Sequence, residues 1–112
     1  MLWIITKDLI NTEPDDTNRV GYLNAGSRKR REAWDAAPAE ARPAIKQAWI
    51  DACNFEFRLY DDDGELYYEG VCLNLDDQDG DSAFEPLDWA MSDVGCTTMK
   101  YRKKGAAIWQ TL

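Results

Sequence analysis

Residues 53–75, CNFEFRLYDDDGELYYEGVCLNL, constrain the fold more than any other part of the chain. Phe55, Phe57 and Leu59 alternate with Glu56, Arg58 and Tyr60, the period of two of a half-buried strand. After Asp63-Gly64 the alternation resumes. Leu66, Tyr68, Gly70 and Cys72 fall on one face, and Tyr67, Glu69, Val71 and Leu73 on the other. Glycine reaches positive φ without a Cβ penalty, so Asp-Gly between two such runs signals a hairpin. A two-residue loop sets Arg58 opposite Glu69 and Leu59 opposite Tyr68. A four-residue loop would instead oppose Glu56 and Glu69, two like charges. A type I turn with a bulge at Gly64 is a third arrangement that the sequence leaves open.

The flanking segments supply further elements. Leu2 to Thr6 reads as a strand, 11–18 as a polar loop, and Arg19 to Tyr22 as a short strand or an extended connection. Ser27 suits a helix N-cap, with the helix ending at Pro38. Ala44, Ile45, Ala48, Trp49, Ala52 and Cys53 recur at helical spacing and predict an apolar stripe against a sheet, with Pro43 in the first turn. Residues 76–82 read as an exposed acidic loop, and 84–95 as an irregular segment with one helical turn from Leu87 to Met91, anchored by Phe84, Leu87 and Trp89. Residues 96–102 and 106–112 read as a closing hairpin across Lys103, Lys104 and Gly105. The expected fold is α+β: one domain over 1–112, an antiparallel sheet of four to five strands, and one or two helices packed on one face.

Charge is segregated. Residues 51–93 hold fourteen Asp and Glu against one Arg, a balance of −13, within a chain of net charge −8. Such self-repulsion costs stability. It is explained by solvated loops or by a surface shaped for a basic partner. The candidate partner-binding residues are Asp61, Asp62, Asp63, Glu65, Tyr67, Glu69, Asp76, Asp77, Asp79, Asp81 and Glu85. Tyr60, Tyr67 and Trp109 beside carboxylates suit an Arg-rich partner, or equally a second layer of packing.

Composition narrows the chemistry. Histidine is absent, which removes Ser-His-Asp, Cys-His and His-based zinc sites. Three cysteines without CxxC spacing do not make a four-thiolate zinc site, and Cys53, Cys72 and Cys96 read as reduced, buried thiols. Asp77, Asp79 and Asp81 have the 1-3-5 spacing of a calcium loop, but Ser82 stands where its glycine belongs and Asp88 where its Glu belongs. No catalytic residue, cofactor or metal is therefore expected. Arg28, Lys29, Arg30 and Arg31 beside Trp34 could meet phosphates, but the protein's overall charge opposes a polyanion; a basic helix face meeting an acidic surface fits better. Lys100, Arg102, Lys103 and Lys104 read as edge protection. No apolar run reaches the length of a membrane span or signal-peptide core, so the expected location is cytoplasmic.

Residues 57–70 (FRLYDDDGELYYEG), 84–88 (FEPLD), 95–101 (GCTTMKY), Trp109 before Leu112, and the opening IITKDLI (4–10) resemble a group of small bacterial proteins on plasmids, phages and integrative elements. The resemblance implies this fold but transfers no activity and no site residue. Residues 24–51 exceed the group's usual length, as a family-specific insertion or binding element. By association, mobile elements carry small acidic proteins that block host defences, some with carboxylates standing in for nucleic-acid phosphates. The expectation is thus a non-enzymatic inhibitor of a nucleic-acid-binding defence complex, of anti-CRISPR or anti-restriction type. Its partner would be a protein with a basic surface, without direct contact to nucleic acid or membrane. The alternatives are an immunity protein or antitoxin against a basic toxin, and a carboxylate enzyme or calcium-binding module.

Overall fold

The computed structural model describes residues 1–13, 17–75 and 80–112, with Gly80 and Asp81 described in backbone only. The fold is α+β. Six strands form one antiparallel sheet: β1 (Trp3–Asp8), β2 (Leu23–Asn24), β3 (Phe55–Tyr60), β4 (Leu66–Cys72), β5 (Thr98–Lys103) and β6 (Gln110–Thr111). Their order is β2-β1-β4-β3-β5-β6, so the hairpin of residues 53–75 forms the two central strands. The sheet exceeds the expected four to five strands because two-residue strands add to each edge.

The hairpin register is the charge-paired one. Arg58 faces Glu69 and Leu59 faces Tyr68, and a shift then brings Tyr60 opposite Leu66. The turn itself is the third arrangement, type I with a glycine bulge. The Gly64 N–H donates to the Asp61 carbonyl (3.1 Å), the Asp61 N–H donates to the Glu65 carbonyl (3.0 Å), and Gly64 has φ 79°. This shift leaves Tyr67 as the extra residue of β4, and Tyr67, expected on the face away from Tyr68, packs against the same core.

The larger core lies on the face carrying Trp3, Ile5, Phe55, Phe57, Leu59, Tyr68, Cys72 and Met99. Helix α4 (Glu85–Val94) covers it through Leu87 and Ala90. This helix corrects the irregular segment expected there. Pro86 occupies its first turn, where a missing N–H costs nothing, and Gly95 closes the helix at φ 79°. The single helical turn α3 (Gly80–Ala83) likewise occupies part of the acidic loop expected over 76–82; residues 76–79 lie outside the described ones.

Helices α1 (Arg28–Ala36, capped by Ser27) and α2 (Arg42–Ala52) are joined by a 3-10 turn, Ala39–Ala41, and neither contains a buried residue. The stripe predicted on α2 is therefore not laid against the sheet. Only its end reaches the second face, where Trp49 and Ile50 pack on Leu2, Ile4, Cys53 and Val71. The Lys104 ammonium donates to the Ile50 carbonyl (2.8 Å), a cation at the negative end of α2. The closing hairpin is shorter than expected: β6 pairs only through Gln110 and Thr111, and Ile108 is 76% exposed. No helix among the described residues is long and apolar enough to cross a membrane.

Candidate functional site: an acidic hairpin tip

The tip of the β3–β4 hairpin is built around Asp61. Its Oδ1 accepts the backbone N–H of Asp63 (2.9 Å) and of Glu65 (2.8 Å), and the Tyr67 hydroxyl donates to the same carboxylate. The Glu65 N–H, foremost, holds the Asp61 carboxyl below its usual range, and this bond to Asp61 pushes the Tyr67 phenol up. Asp61 and Tyr67 are half-buried, whereas Asp62, Asp63 and Glu65 are exposed. None of these last three has an ion pair among the described residues. Around Gly64 there is open space. The turn thus carries three solvated carboxylates on a short loop whose backbone is hydrogen-bonded to Asp61.

The other candidate acids are placed differently. Glu69 is paired with Arg58 (3.0 Å) and with Lys7 (3.7 Å). Glu85 faces the Met1 ammonium (3.4 Å) and accepts from the Asn24 amide (3.0 Å). Two further acids of the −13 segment are also paired, Glu56 with Arg102 and Asp93 with Arg19. Asp76, Asp77 and Asp79 lie outside the described residues, as does the side chain of Asp81, so the calcium-like spacing falls there too. No group of three acids or thiols among the described residues could hold a metal ion. The tip joins Tyr60 of β3 to Leu66 of β4.

Aromatic rings near the acids meet the chain's own cations. Trp109 is half-buried between the guanidinium groups of Arg58 (4.3 Å) and Arg102 (4.4 Å), and Lys100 lies 5.2 Å from the Tyr60 ring. In the basic run, Arg28 pairs with Glu32 and Arg30 folds back onto Ser27 and Ala25. Trp34 packs on Trp49 in a tilted pair, 5.6 Å between centroids, and carries Arg42 and Lys46 over its ring. The three thiols are free and buried; burial pushes Cys53 and Cys96 up to about 11 and Cys72 to about 12.

One polar group and one cleft were not singled out from the sequence. Asp8 is 5% exposed and accepts the N–H groups of Ile10, Asn11 and Arg19, tying down the loop after β1. It reaches the core side because β1 carries a register shift between Ile5 and Lys7. The cleft, of about 650 Å3, gathers Trp3, Tyr22, Trp34 and Trp89 from four distant segments. No local periodicity marks such a gathering. No family model, no curated protein and no solved structure matches the chain.

Proposed function

We propose that this protein is a non-enzymatic binding protein. It engages the basic surface of a nucleic-acid-binding defence complex, of CRISPR or restriction type, and occupies that surface in place of phosphates. The observation that carries this reading is the hairpin tip: Asp62, Asp63 and Glu65 stand solvated, without an ion pair among the described residues, on a turn locked by Asp61. Carboxylates held in place lose less freedom when they meet a cationic groove than carboxylates on a free chain. Glu56, Glu69, Glu85 and Asp93 support the fold through their own partners and are not part of the proposed surface. The resemblance to proteins of mobile elements points toward a host defence target.

The test is a triple reversal, Asp62→Lys with Asp63→Lys and Glu65→Lys. Wild-type and variant baits are compared on purified guide-loaded CRISPR effectors and restriction enzymes at low and high salt. The expected result is a wild-type complex weakened by salt, inhibition of DNA binding, and an on-rate at least about tenfold lower for the variant. Equal, salt-independent association of both baits refutes the reading. A partner that proves to be a basic toxin moves the function to antitoxin.

A further inference from the structure

The protein's aromatic rings fall into two kinds. Those of Trp34, Trp109 and Tyr60 carry a Lys or Arg of the chain itself. Those of Trp3, Tyr22 and Trp89 carry none among the described residues, although they form the densest aromatic cluster. Tyr22 and Trp89 stack at 4.8 Å and 16°, and Trp3 packs on both at 5.7 and 5.6 Å. These three rings, with Trp34, line the cleft of about 650 Å3, a size typical of ligand sites.

The cleft has few charged groups in its lining. Glu85 and Asp88 face a single cation, Arg31. Glu85 is committed to the Met1 ammonium and to Asn24, whereas Asp88 is exposed and has no ion pair among the described residues. Within the same wall, the indole N–H of Trp3 is buried without an acceptor among the described residues, and Trp3 is 3% exposed. A buried donor left unpaired is costly, and a ligand that brings an acceptor relieves it.

We propose that the cleft is a binding site for an arginine-bearing peptide segment. The guanidinium stacks on the outer face of Tyr22, which is 45% exposed, and pairs with Asp88. Rotation of the Tyr22 ring away from Trp3 admits a backbone carbonyl of the same segment, which accepts the Trp3 indole N–H. A nucleotide could also stack here. However, its phosphate would find a single cation in the lining, Arg31, beside Asp88 and on a chain of net charge −8. The site adds a second contact for a basic protein, and it stands or falls independently of the hairpin tip.

The probe is acetyl-Gly-Arg-Gly-amide, titrated into the protein while the five tryptophan indole N–H signals are followed by 1H–15N NMR. Acetyl-Gly-citrulline-Gly-amide, isosteric and uncharged, is the control, and AMP is the nucleotide arm. The arginine peptide is expected to shift the Trp3 and Trp89 signals saturably, with the Trp3 N–H moving downfield. The citrulline peptide should bind at least threefold more weakly. Tyr22→Ala and Asp88→Asn should each weaken binding by about three- to thirtyfold. Asp88 is exposed, so Asp88→Asn keeps the test decisive even if Tyr22→Ala perturbs packing. Equal binding of the citrulline peptide, preference for AMP, shifts confined to Trp34 and Trp109, or unchanged affinity in Asp88→Asn would each overturn the proposal. The triple hairpin-tip reversal should leave this titration unchanged, which separates failure here from failure of the proposed function.

Discussion

Gly70 sits at the centre of the sheet, opposite Phe57 on β3 and Ile5 on β1. A Cβ built there would lie 2.3 Å from Phe57 Cζ, 2.8 Å from Phe57 Cε2 and 2.6 Å from the Ile4 carbonyl oxygen. Phe57 is fully buried, so its ring cannot swing into solvent. Gly70→Ala must therefore displace the ring, the strand or both. Overpacking of a dense core costs about 1–3 kcal/mol, and with two colliding groups the upper end, about 3 kcal/mol, is expected. At about 4 °C per kcal/mol the melting temperature should fall by about 12 °C. Phe57→Leu removes the colliding ring atoms and by itself costs about 2 kcal/mol for three lost carbons. The double variant should then be at least about 1 kcal/mol more stable than the sum of the two single effects. Urea unfolding of the four proteins measures this directly. Additive losses would place the resistance at the Ile4 carbonyl instead of the ring. A Gly70→Ala variant within about 0.5 kcal/mol of wild type would refute the close approach altogether.

Two further outcomes follow from the buried thiols and the capped helix. Folded Cys53, Cys72 and Cys96 keep their protons up to about 11, 12 and 11, whereas in the unfolded chain they lose them near 9. The folded state thus binds more protons above pH 9, so stability is intact below pH 9 and falls between pH 9 and 12. Tyr68, raised to about 12 by burial, adds to the fall above pH 10. Urea titrations at pH 8 and 10.5 should show this loss, reduced in Cys72→Ala; no difference between the two pH values would contradict thiol burial. Ser27 accepts the Arg30 N–H at 3.2 Å, and α1 has no buried residue. Ser27→Ala should therefore cost about 1 kcal/mol locally. It should speed amide exchange in 28–36 while leaving the global unfolding midpoint unchanged; an equal slowing or a global shift would show that α1 is docked more firmly than its exposure implies.

Much of the architecture was legible because it is encoded by near neighbours. The alternation of Phe55 to Leu59 and of Tyr68 to Cys72, with Gly64 between, specifies the central hairpin, and the Arg58–Glu69 pair specifies its register. Ser27 and Pro43 mark the starts of α1 and α2 where they occur. Over α4 the expected single turn, Leu87 to Met91, is the middle of a helix that begins at Glu85 with Pro86 in its first turn, a place where proline is welcome, and runs to Val94. Periodicity alone does not say which position the proline holds. The stripe on α2 failed for a different reason: helical spacing of Ala44, Ile45 and Ala48 shows that apolar side chains share a face, not that another element covers that face.

The chain's composition and local pattern determined the α+β class, the central hairpin and its acidic turn, and the three inert thiols. Only the folded sheet decided what the charges and aromatics do. Tertiary packing pairs Glu56, Glu85 and Asp93 with cations from other segments. It also brings together Trp3, Tyr22, Trp34 and Trp89 around one cleft. Secondary structure depends on side chains a few residues apart, whereas these meetings span up to 86 positions and exist only once β1 has paired with β4 and α4 has packed across both.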